Sequence, residues 1–351
     1  MNASSQDEYS SRGMKYRRVV VMQHGGPEVL QVVEEDLSEP QTGEVRVRTL
    51  AAGVSAYDLM HRRSGSLPGV PPVPFTPGED IVGLVDKLGE GVSTVEPGQR
   101  VAGYPRGGGY AEFLCLPASE LVPVPAGVDP AEAVCLVTNY LTAHMLLHPT
   151  ANVQPGDRIL VHGAAGGVGS ALLELGKLAG LEMYGTASKH NHELVSALGA
   201  TPIDYRTEDF VERIRSLTGD GVDAVFDPVG GAGQLRRSYQ ALRKGGLLVS
   251  FGMAATTRSG LRVIPFSLLM VLLIKLIPDG KQARMSLNLA EFAPAHIDWY
   301  RETLAELLDL LAAGRIKPAV AERVPLVEAA RAHELLERGG YAGKVVLVNS
   351  A

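Results

Sequence analysis

The chain has 351 residues, of which 45% are hydrophobic and 21% charged, and its net charge is −6. This length favours about two globular domains, and the composition is that of an ordinary soluble protein. The acidic balance excludes the broad basic surface that nucleic-acid binding requires, so no such partner is expected. Cys115 and Cys135 form no C-x-x-C pair, which excludes a zinc ribbon or a disulfide framework and indicates a reducing, cytoplasmic setting.

The first third of the chain is predicted to be mainly β structure. Residues 1–13 are small and polar and are expected to form a disordered tail. From Tyr16 to Pro125, short Val-rich runs alternate with Gly and Pro turns, which predicts a barrel-like β domain. Asp129 then resembles a helix N-cap, and the helical spacing that follows it to Leu147 is expected to lead into a second domain.

A glycine-rich turn within residues 158–170 (RILVHGAAGGVGS) organises the second half of the chain. It lies between an apolar run typical of a buried strand and a segment with helical spacing. Against the G-x-G-x-x-G pattern, Ala164 takes the first glycine position, and Gly166 and Gly169 take the others. Such a turn lets the backbone and the N-terminus of the helix approach a pyrophosphate. The predicted dinucleotide contacts are Ala165, Gly166, Gly167, Val168 and Gly169. The alternative is a purely structural turn.

Strand and helix patterns alternate after this turn. Predicted strands lie at 181–188, 201–205, 222–231 and 247–254, with helices at 192–200, 209–218 and 234–246. The alternation predicts an α/β fold with a doubly wound parallel sheet, whose ligand binds at the carboxyl ends of the strands. The last strand, at 344–348, has no helix after it and is expected to return to the β domain.

The end of the second predicted strand indicates which nicotinamide cofactor binds. NAD sites place Asp or Glu about 20 residues after the glycines, to bind the ribose 2′-hydroxyl. Residues 184–190 contain no acid. They provide hydroxyls, a cation and an imidazole that would favour a 2′-phosphate, namely Thr186, Ser188, Lys189 and His190. The sequence therefore predicts NADPH, although Lys189 could also be an ordinary surface lysine.

One apolar run, Val263–Pro278 (VIPFSLLMVLLIKLIP), stands apart from this pattern. Pro265 and Lys275 interrupt it, and it is shorter than the roughly 20 residues of a membrane span. We expect a buried helix or a subunit contact, and the alternative is attachment to a membrane surface.

Several motifs, taken in order, resemble the zinc-independent branch of the medium-chain dehydrogenase/reductase superfamily, and within it the quinone oxidoreductase family. They are AAGVSAYDLMHRRSG, FTPGEDIVGLV, VTNYLTAHMLL, HGAAGGVG, GRIKPAV and GGYAGKVVLV. The NYLTAHMLL segment is similar to the vesicle amine transport protein group. The resemblance implies a GroES-like β-barrel domain of residues 14–138 and 310–351, and an inserted Rossmann domain of residues 139–309. It also implies a homodimer.

The resemblance has a consequence for zinc. Metal-dependent relatives carry Cys and Gly-His-Glu ligand motifs where this chain has Ser55-Ala56 and Gly78-Glu79-Asp80, and the four-Cys lobe is absent. Zinc needs three or four such ligands, so no metal site is predicted. Without a Lewis acid alcohol oxidation is disfavoured, whereas hydride addition to a conjugated quinone or enone does not need the metal.

The resemblance also suggests individual site residues. Tyr57, in the loop that lines the cleft of relatives, is the candidate proton donor, and a packing role is the alternative. Asp58 is expected to be a hydrogen-bonding partner of that loop, and Asp227 to fix a turn. The cofactor contacts carried over are Ser55, Asn139, Thr142, Tyr205, Phe251, Gly252 and Arg338.

These observations predict an NADPH-dependent oxidoreductase that transfers hydride to a small-molecule quinone or α,β-unsaturated carbonyl without zinc. A cofactor-binding protein that associates with a membrane or lipid surface is the alternative from another class. An enoyl-thioester reductase is the alternative among enzymes, with Arg62 and Arg63 as a basic patch, although a solvated pair is the simpler interpretation of these two residues.

Overall fold

The computed structural model describes residues 14–64, 70–252, 263–274, 276–286 and 288–349. The predicted disordered tail, residues 1–13, lies outside these ranges. The chain divides into two compact units. The first unit comprises the chain through Ala126 together with Arg323–Arg338 and Val345–Ala351, and the second comprises Gly127–Glu322 and Gly339–Lys344.

The strands of the described residues are numbered in chain order. They are β1 (Lys15–Val21), β2 (Leu30–Asp36), β3 (Glu44–Gly53), β4 (Ile81–Leu88), β5 (Arg100–Gly103), β6 (Phe113–Pro117), β7 (Leu121–Pro123), β8 (Arg158–His162), β9 (Glu182–Ala187), β10 (Ala200–Asp204), β11 (Val222–Asp227), β12 (Leu242–Ser250), β13 (Gln282–Met285), β14 (Val320–Pro325) and β15 (Lys344–Val348).

The α-helices are numbered in the same way. They are α1 (Ala56–Arg63), α2 (Pro130–Cys135), α3 (Leu141–Met145), α4 (Gly167–Leu178), α5 (His192–Ala197), α6 (Phe210–Thr218), α7 (Ala232–Ala241), α8 (Val263–Ile274), α9 (Leu289–Ala295), α10 (Ile297–Ala312) and α11 (Ala329–Arg338). Short 3₁₀ turns occur at Pro27–Val29, Ala118–Glu120, Lys189–Asn191 and Leu326–Glu328, and π-helical turns at Leu136–Tyr140 and Leu146–Thr150.

The first unit is built on a sheet with the strand order β14-β15-β3-β4-β5-β7, in which β6 also pairs with β3. Side chains of β3 alternate between the core and the surface, so Val45 and Val47 are buried while Arg46 binds Asp86 on β4. The C-terminal β15 pairs antiparallel with β3, with Val346 opposite Gly53. These features confirm the predicted β domain and the return of the last strand to it.

The second unit contains a six-stranded parallel sheet in the order β10-β9-β8-β11-β12-β13. This is the order of a doubly wound Rossmann sheet, as predicted. The chain changes direction across the sheet between β8 and β11, and ligands of such sheets bind beyond the strand ends at this point. The glycine-rich turn follows β8 directly.

The helical segment after Asp129 belongs to the second unit. The Asp129 carboxylate accepts hydrogen bonds from the N–H groups of Ala131 and Glu132, which confirms the predicted N-cap. Tyr140 donates to the Glu174 carboxylate of α4 at 2.5 Å, so the segment packs on the Rossmann helices. The units change at residues 126/127, 322/323, 338/339 and 344/345, whereas the sequence-based boundaries lie at 138/139 and 309/310.

Two elements differ from the sequence pattern. Strand β12 begins at Leu242, so residues 242–246 extend the strand and not the preceding helix. Gly245 has a φ of 82°, a conformation that few other residues adopt, and it allows this irregular strand start. Strand β13 was not predicted, because only Ala283 of its four residues is buried and the alternation is too short to detect.

Helix α8 accounts for most of the apolar run. Val271 and Ile274 join the core cluster that contains Leu235 and Ala283. The prediction of a buried helix is nevertheless wrong for this chain alone, because one face of α8 is exposed. Its exposed side chains, each between 47% and 60% exposed, are Phe266, Leu268, Leu269, Leu272 and Leu273. Lys275 of the run lies outside the described residues. Across the described ranges, no helix combines the length and apolar character that crossing a membrane requires.

Candidate functional site

The glycine-rich turn depends on glycine at two positions. Gly163 has a φ of 64° and turns the chain immediately after β8. A Cβ at Gly169 would collide with the Gly163 carbonyl and would lie 2.9 Å from Cα of Ala164. The third glycine of the pattern is therefore required for close packing of α4 against the turn that leaves the sheet. Ala164 is tolerated at the first position, where its N–H donates to the Thr186 carbonyl at 3.1 Å.

The N-terminus of α4 has the features of an anion-binding site. Its N-cap is Gly166, which has no side chain to occupy the amides of the first turn, Gly167 to Gly169. These amides and the helix dipole favour a phosphate. Asn139 lies against Gly167, where a Cβ would collide with the Asn139 amide group. The expected contacts Ala165 to Gly169 thus lie together at the start of one helix, while Thr142 lies in α3, which packs on α4.

A buried lysine close to this turn escaped the sequence analysis. Gly343 donates its N–H to the Ala165 carbonyl at 3.1 Å, which brings the GGYAGK segment next to the glycines. Lys344, only 3% exposed, donates from Nζ to the Thr138 hydroxyl at 2.5 Å. A buried cation beside an anion-binding turn is a candidate cofactor contact. The lysine within GGYAGK was visible in the sequence, but nothing local placed it there.

The end of β9 carries part of the predicted 2′-phosphate site. The Ser188 and Tyr205 hydroxyls are 3.1 Å apart, and Lys189 and His190 are exposed beside them. Arg206 lies with its guanidinium carbon 5.8 Å from the centre of the Tyr205 ring. It adds a second cation that the sequence analysis did not select, although it directly follows Tyr205.

Thr186 does not supply a hydroxyl to this surface. The side chain is 3% exposed, and its Oγ1 lies 3.0 Å from Nδ1 of His162. Successive side chains of a strand point to opposite faces, and at Thr186 the side chain faces the interior. This corrects the expectation that the Thr186 side chain contacts the cofactor.

The ends of β11 and β12 form the third part of the site. Asp227 accepts hydrogen bonds from the N–H groups of Val229 and Gly230, at 2.8 and 3.0 Å, which confirms its role in fixing a turn. Phe251 and Gly252 follow β12, and a Cβ at Gly252 would lie 2.7 Å from the Pro228 carbonyl oxygen. Both residues are half-buried at the strand end, as a nicotinamide contact requires, and their role stays a prediction.

In the first unit, Ser55 begins α1 with a capping box. Its hydroxyl accepts from the Asp58 N–H at 3.2 Å, and the Asp58 carboxylate accepts from the Ser55 N–H at 2.8 Å. Asp58 also accepts from the Gly78 N–H at 2.8 Å, which confirms the structural role expected for it. Burial raises the pKa of Asp58, whereas these N–H groups favour the charged form. Tyr57 is half-buried on the first turn of α1, with its ring edge-on to His61.

The same side chains do not fit a zinc ion. Ser55 Oγ lies 3.3 Å from the Glu79 carboxylate, and Asp80 accepts from the Gly53 N–H at 3.0 Å. The carboxylates are thus engaged within the protein, and neither Cys nor His stands beside them in the two motifs. Over the described parts of the chain, no group of three or more His, Cys, Asp or Glu side chains is arranged to hold a metal ion.

Two arginines of the first unit had been considered for binding roles. Arg62 is fully buried and bonds to the Gly25 carbonyl, His333 and Glu337. It is therefore neither a solvated residue nor accessible to a carrier phosphate, and only Arg63 of the proposed basic patch is partly exposed. Arg338 is exposed at the last residue of α11 in the first unit, and its predicted contact with the cofactor stays a prediction.

Comparison with known proteins agrees with both units. Residues 41–126 match the alcohol dehydrogenase GroES-like domain, and residues 198–347 match a family described as zinc-binding dehydrogenase. The chain is 34% identical over 320 residues to the human synaptic vesicle membrane protein VAT-1 homolog, with 88% of this chain and 80% of that protein covered. It is 32% identical over 345 residues to a 2-haloacrylate reductase from a Burkholderia species, with 95% and 98% covered.

A solved structure shows the same architecture. The Escherichia coli quinone oxidoreductase, crystallised in complex with NADPH, has a TM-score of 0.85 and 32% identity, and the match covers 95% of this chain and all of that one. The chain has a GroES-like unit and a Rossmann unit, and its relatives are more than 30% identical to it along nearly the whole chain. These findings show the family. The chain belongs to the quinone oxidoreductase and VAT-1-like family, in the zinc-independent branch of the medium-chain dehydrogenase/reductase superfamily.

Proposed function

We propose that this protein is an NADPH-dependent reductase of quinones or α,β-unsaturated carbonyls. The observation that carries the proposal is the end of β9, where the Ser188 and Tyr205 hydroxyls lie 3.1 Å apart beside the exposed Lys189 and residues 184–190 contain no acid. A carboxylate there would bind the ribose 2′-hydroxyl of NAD, whereas hydroxyls and a cation suit the 2′-phosphate of NADP. The NADPH complex of the related Escherichia coli enzyme supports this choice.

The residues of the second unit fit the dinucleotide. The first-turn amides of α4 would hold the pyrophosphate, with Lys344 as a nearby cation. Ser188, Lys189 and Tyr205 would hold the 2′-phosphate. Asn139, Thr142 and the Phe251–Gly252 strand end would orient the nicotinamide. When bound, NADPH supplies a hydride to the electron-poor carbon of the acceptor.

The acceptor must also gain a proton. We assign this step to the phenol of Tyr57, which would donate its proton to the enolate or phenolate produced by hydride transfer and recover one from water. The capping box holds Tyr57 on the first turn of α1, and its ring packs against His61. The charge that hydride addition creates is spread over the conjugated acceptor, so the proposal includes no zinc ion.

Direct assays test the enzymatic proposal. Purified protein, before and after treatment with a chelator, is given NADPH or NADH with a panel of quinones, enones and haloacrylates. We expect oxidation of NADPH with at least one acceptor, a preference over NADH, and no loss after chelation. Binding of NADPH without turnover of any acceptor would contradict the reductase assignment, and activity restored only by added zinc would contradict the metal-free mechanism.

The alternatives are less well supported. Burial of Arg62 removes half of the basic patch that suggested an enoyl-thioester reductase.

The exposed face of α8 supports an interaction surface, and we propose that a second copy of the chain covers it. Helix α8 packs beside β13, the last strand in the order of the parallel sheet, so a twofold partner could extend the sheet and cover the apolar face together. A homodimer is therefore part of the proposed function, and the cytoplasmic location inferred from the cysteine usage is proposed with it.

A further inference from the structure

A series of buried polar side chains, joined by hydrogen bonds, lies next to the turns that are predicted to bind the dinucleotide. Thr186 Oγ1 lies 3.0 Å from His162 Nδ1, His162 Nε2 lies 3.1 Å from Ser238 Oγ, and Ser238 donates to the Asp227 carboxylate at 2.7 Å. None of the four side chains is more than 3% exposed. Most buried polar groups are hydrogen-bonded, and here all four side chains are joined in one continuous series.

The direction of each hydrogen bond follows from the donors available. The Asp227 carboxylate accepts three bonds, from the N–H groups of Val229 and Gly230 and from the Ser238 hydroxyl. Ser238 spends its only hydrogen on Asp227 and must accept from His162, so the hydrogen of the imidazole is on Nε2. Nδ1 is then an acceptor and receives the Thr186 hydroxyl hydrogen. The histidine is thereby assigned one tautomer in its neutral form.

The surroundings of His162 agree with this assignment. Burial lowers the pKa of His162, with Asp227 opposing the shift and Arg237 adding to it. The ring of Phe210 packs edge-on against the imidazole at 4.7 Å between ring centres, and the guanidinium carbon of Arg237 lies 4.5 Å from the centre of the Phe210 ring. Both ring nitrogens of His162 thus have hydrogen-bond partners within the protein.

Three of the four members adjoin a turn of the site, and Ser238, on α7, links two of them. His162 ends β8 and precedes the glycine-rich turn, and Thr186 precedes the Ser188–Lys189 surface on β9. Asp227 ends β11, and its backbone carbonyl also accepts from the Phe251 N–H at 3.0 Å. This series of hydrogen bonds therefore connects the carboxyl ends of β9, β8 and β11, which lie side by side in the sheet.

We propose that His162, Ser238 and Asp227 form a positioning network that holds these three turns in one arrangement for the dinucleotide. The proposal rests on the proposed function, since it assumes that a nicotinamide dinucleotide binds at these strand ends. His162 is the junction: it receives a hydrogen bond from Thr186 on β9 and donates one to Ser238, which in turn donates to Asp227. These residues act through the backbone of the turns and need not touch the cofactor.

The test compares two buried serines. Ser238→Ala breaks the network, and Ser250→Ala is the matched control, because Ser250 is equally buried on β12 and its hydroxyl has no hydrogen-bond partner among the described residues. We expect Ser238→Ala to raise the dissociation constants of NADPH and NADH alike, by about tenfold, since it leaves two buried polar groups unpaired. Ser250→Ala should leave both constants unchanged. Equal constants for the two variants would overturn the proposal.

Two measurements on the free protein separate this proposal from the proposed function. ¹⁵N NMR of the wild-type histidines at pH 8, where the imidazole is neutral, should show His162 as the Nε2–H tautomer. Hydrogen exchange should be faster in Ser238→Ala, but not in Ser250→Ala, within 162–170 and 226–231. If the wild-type protein bound neither cofactor but showed these signals, the proposed function alone would fail. Unchanged exchange in Ser238→Ala would overturn the network. The opposite tautomer, which is measured on the wild-type protein, would overturn it even if Ser238→Ala could not be purified.

Discussion

Lys189 carries the residue-scale argument for cofactor choice, because it is an exposed cation beside the Ser188 and Tyr205 hydroxyls. Lys189→Ala is expected to raise the dissociation constant of NADPH about tenfold, the effect of one partly solvated charge-assisted contact. The constant for NADH should change little, since NADH lacks the 2′-phosphate. Titrations of cofactor fluorescence measure both constants.

The matched control is Lys177→Ala, which removes another exposed lysine of the second unit away from the strand ends. It should alter neither constant. If Lys189→Ala weakened NADPH and NADH equally, Lys189 would not be a 2′-phosphate contact, and Arg206 would become the cation to test next.

His333 is the buried titratable group that makes stability depend on pH. It accepts from Arg62, lies 3.1 Å from the Tyr110 hydroxyl, and burial with the Arg62 and Arg63 charges lowers its pKa to about 3. In the unfolded chain the imidazole has a pKa of about 6.5. The unfolded state therefore takes up a proton first, and the contribution to stability is complete above pH ~6.5 and lost as the pH falls towards the folded value.

We expect the free energy of unfolding of the wild-type protein to fall by about 1 kcal/mol more between pH 6 and 5 than that of His333→Gln. Denaturant titrations at the two pH values give this difference, and glutamine keeps one donor and one acceptor. Identical pH dependence of both proteins would show that folding does not shift the pKa of His333 and would contradict this prediction.

At the scale of single elements, helix α8 shows the largest departure from its sequence pattern. The apolar run was expected to be a buried helix or a subunit contact, and among the described residues only the side facing α7 and β13 is covered. The covered face joins the core of the second unit, and the exposed face is the surface that we assign to a second copy.

Leu272→Glu tests that assignment, because Leu272 is 59% exposed on α8. In a twofold dimer the substitution would bury one charge from each copy at the interface, which is unfavourable. We expect the wild-type protein to sediment as a dimer and the variant as a monomer with unchanged helix content. Leu217→Glu, at a 39% exposed leucine of α6, is the control and should remain dimeric. A wild-type monomer that binds liposomes through Leu272 would instead favour the lipid-surface alternative.

The strands that could be predicted are those whose burial produces an apolar run in the sequence. β8, β11 and the inner part of β12 are covered on both faces, and their apolar runs are visible in the sequence. β13 lies last in the sheet order and buries only Ala283, so its segment lacks that pattern. β13 nevertheless forms a strand, because its backbone pairing with β12 does not depend on side-chain hydrophobicity.

At the scale of the whole molecule, cofactor binding should stabilise the second unit. The predicted contacts, apart from Ser55 and Arg338, belong to Gly127–Glu322. NADPH at 100 times its dissociation constant is expected to add about 2.7 kcal/mol to the free energy of unfolding. Hydrogen exchange followed by mass spectrometry should show the largest protection at the ends of β8, β9 and β11. Protection confined to the first unit would contradict the location of the site.

The glycine turn, the acid-free end of β9 and the order of strands and helices could all be predicted, since each depends on neighbours in the sequence. Backbone freedom at Gly163, close packing at Gly169 and the charge of Lys189 are properties of the residues themselves. The direction of the Thr186 side chain, the burial of Arg62 and Lys344, and the exposure of α8 could not be predicted. They depend on which distant segment covers each surface: β8 faces Thr186, α11 encloses Arg62, and within the described residues nothing covers the outer face of α8.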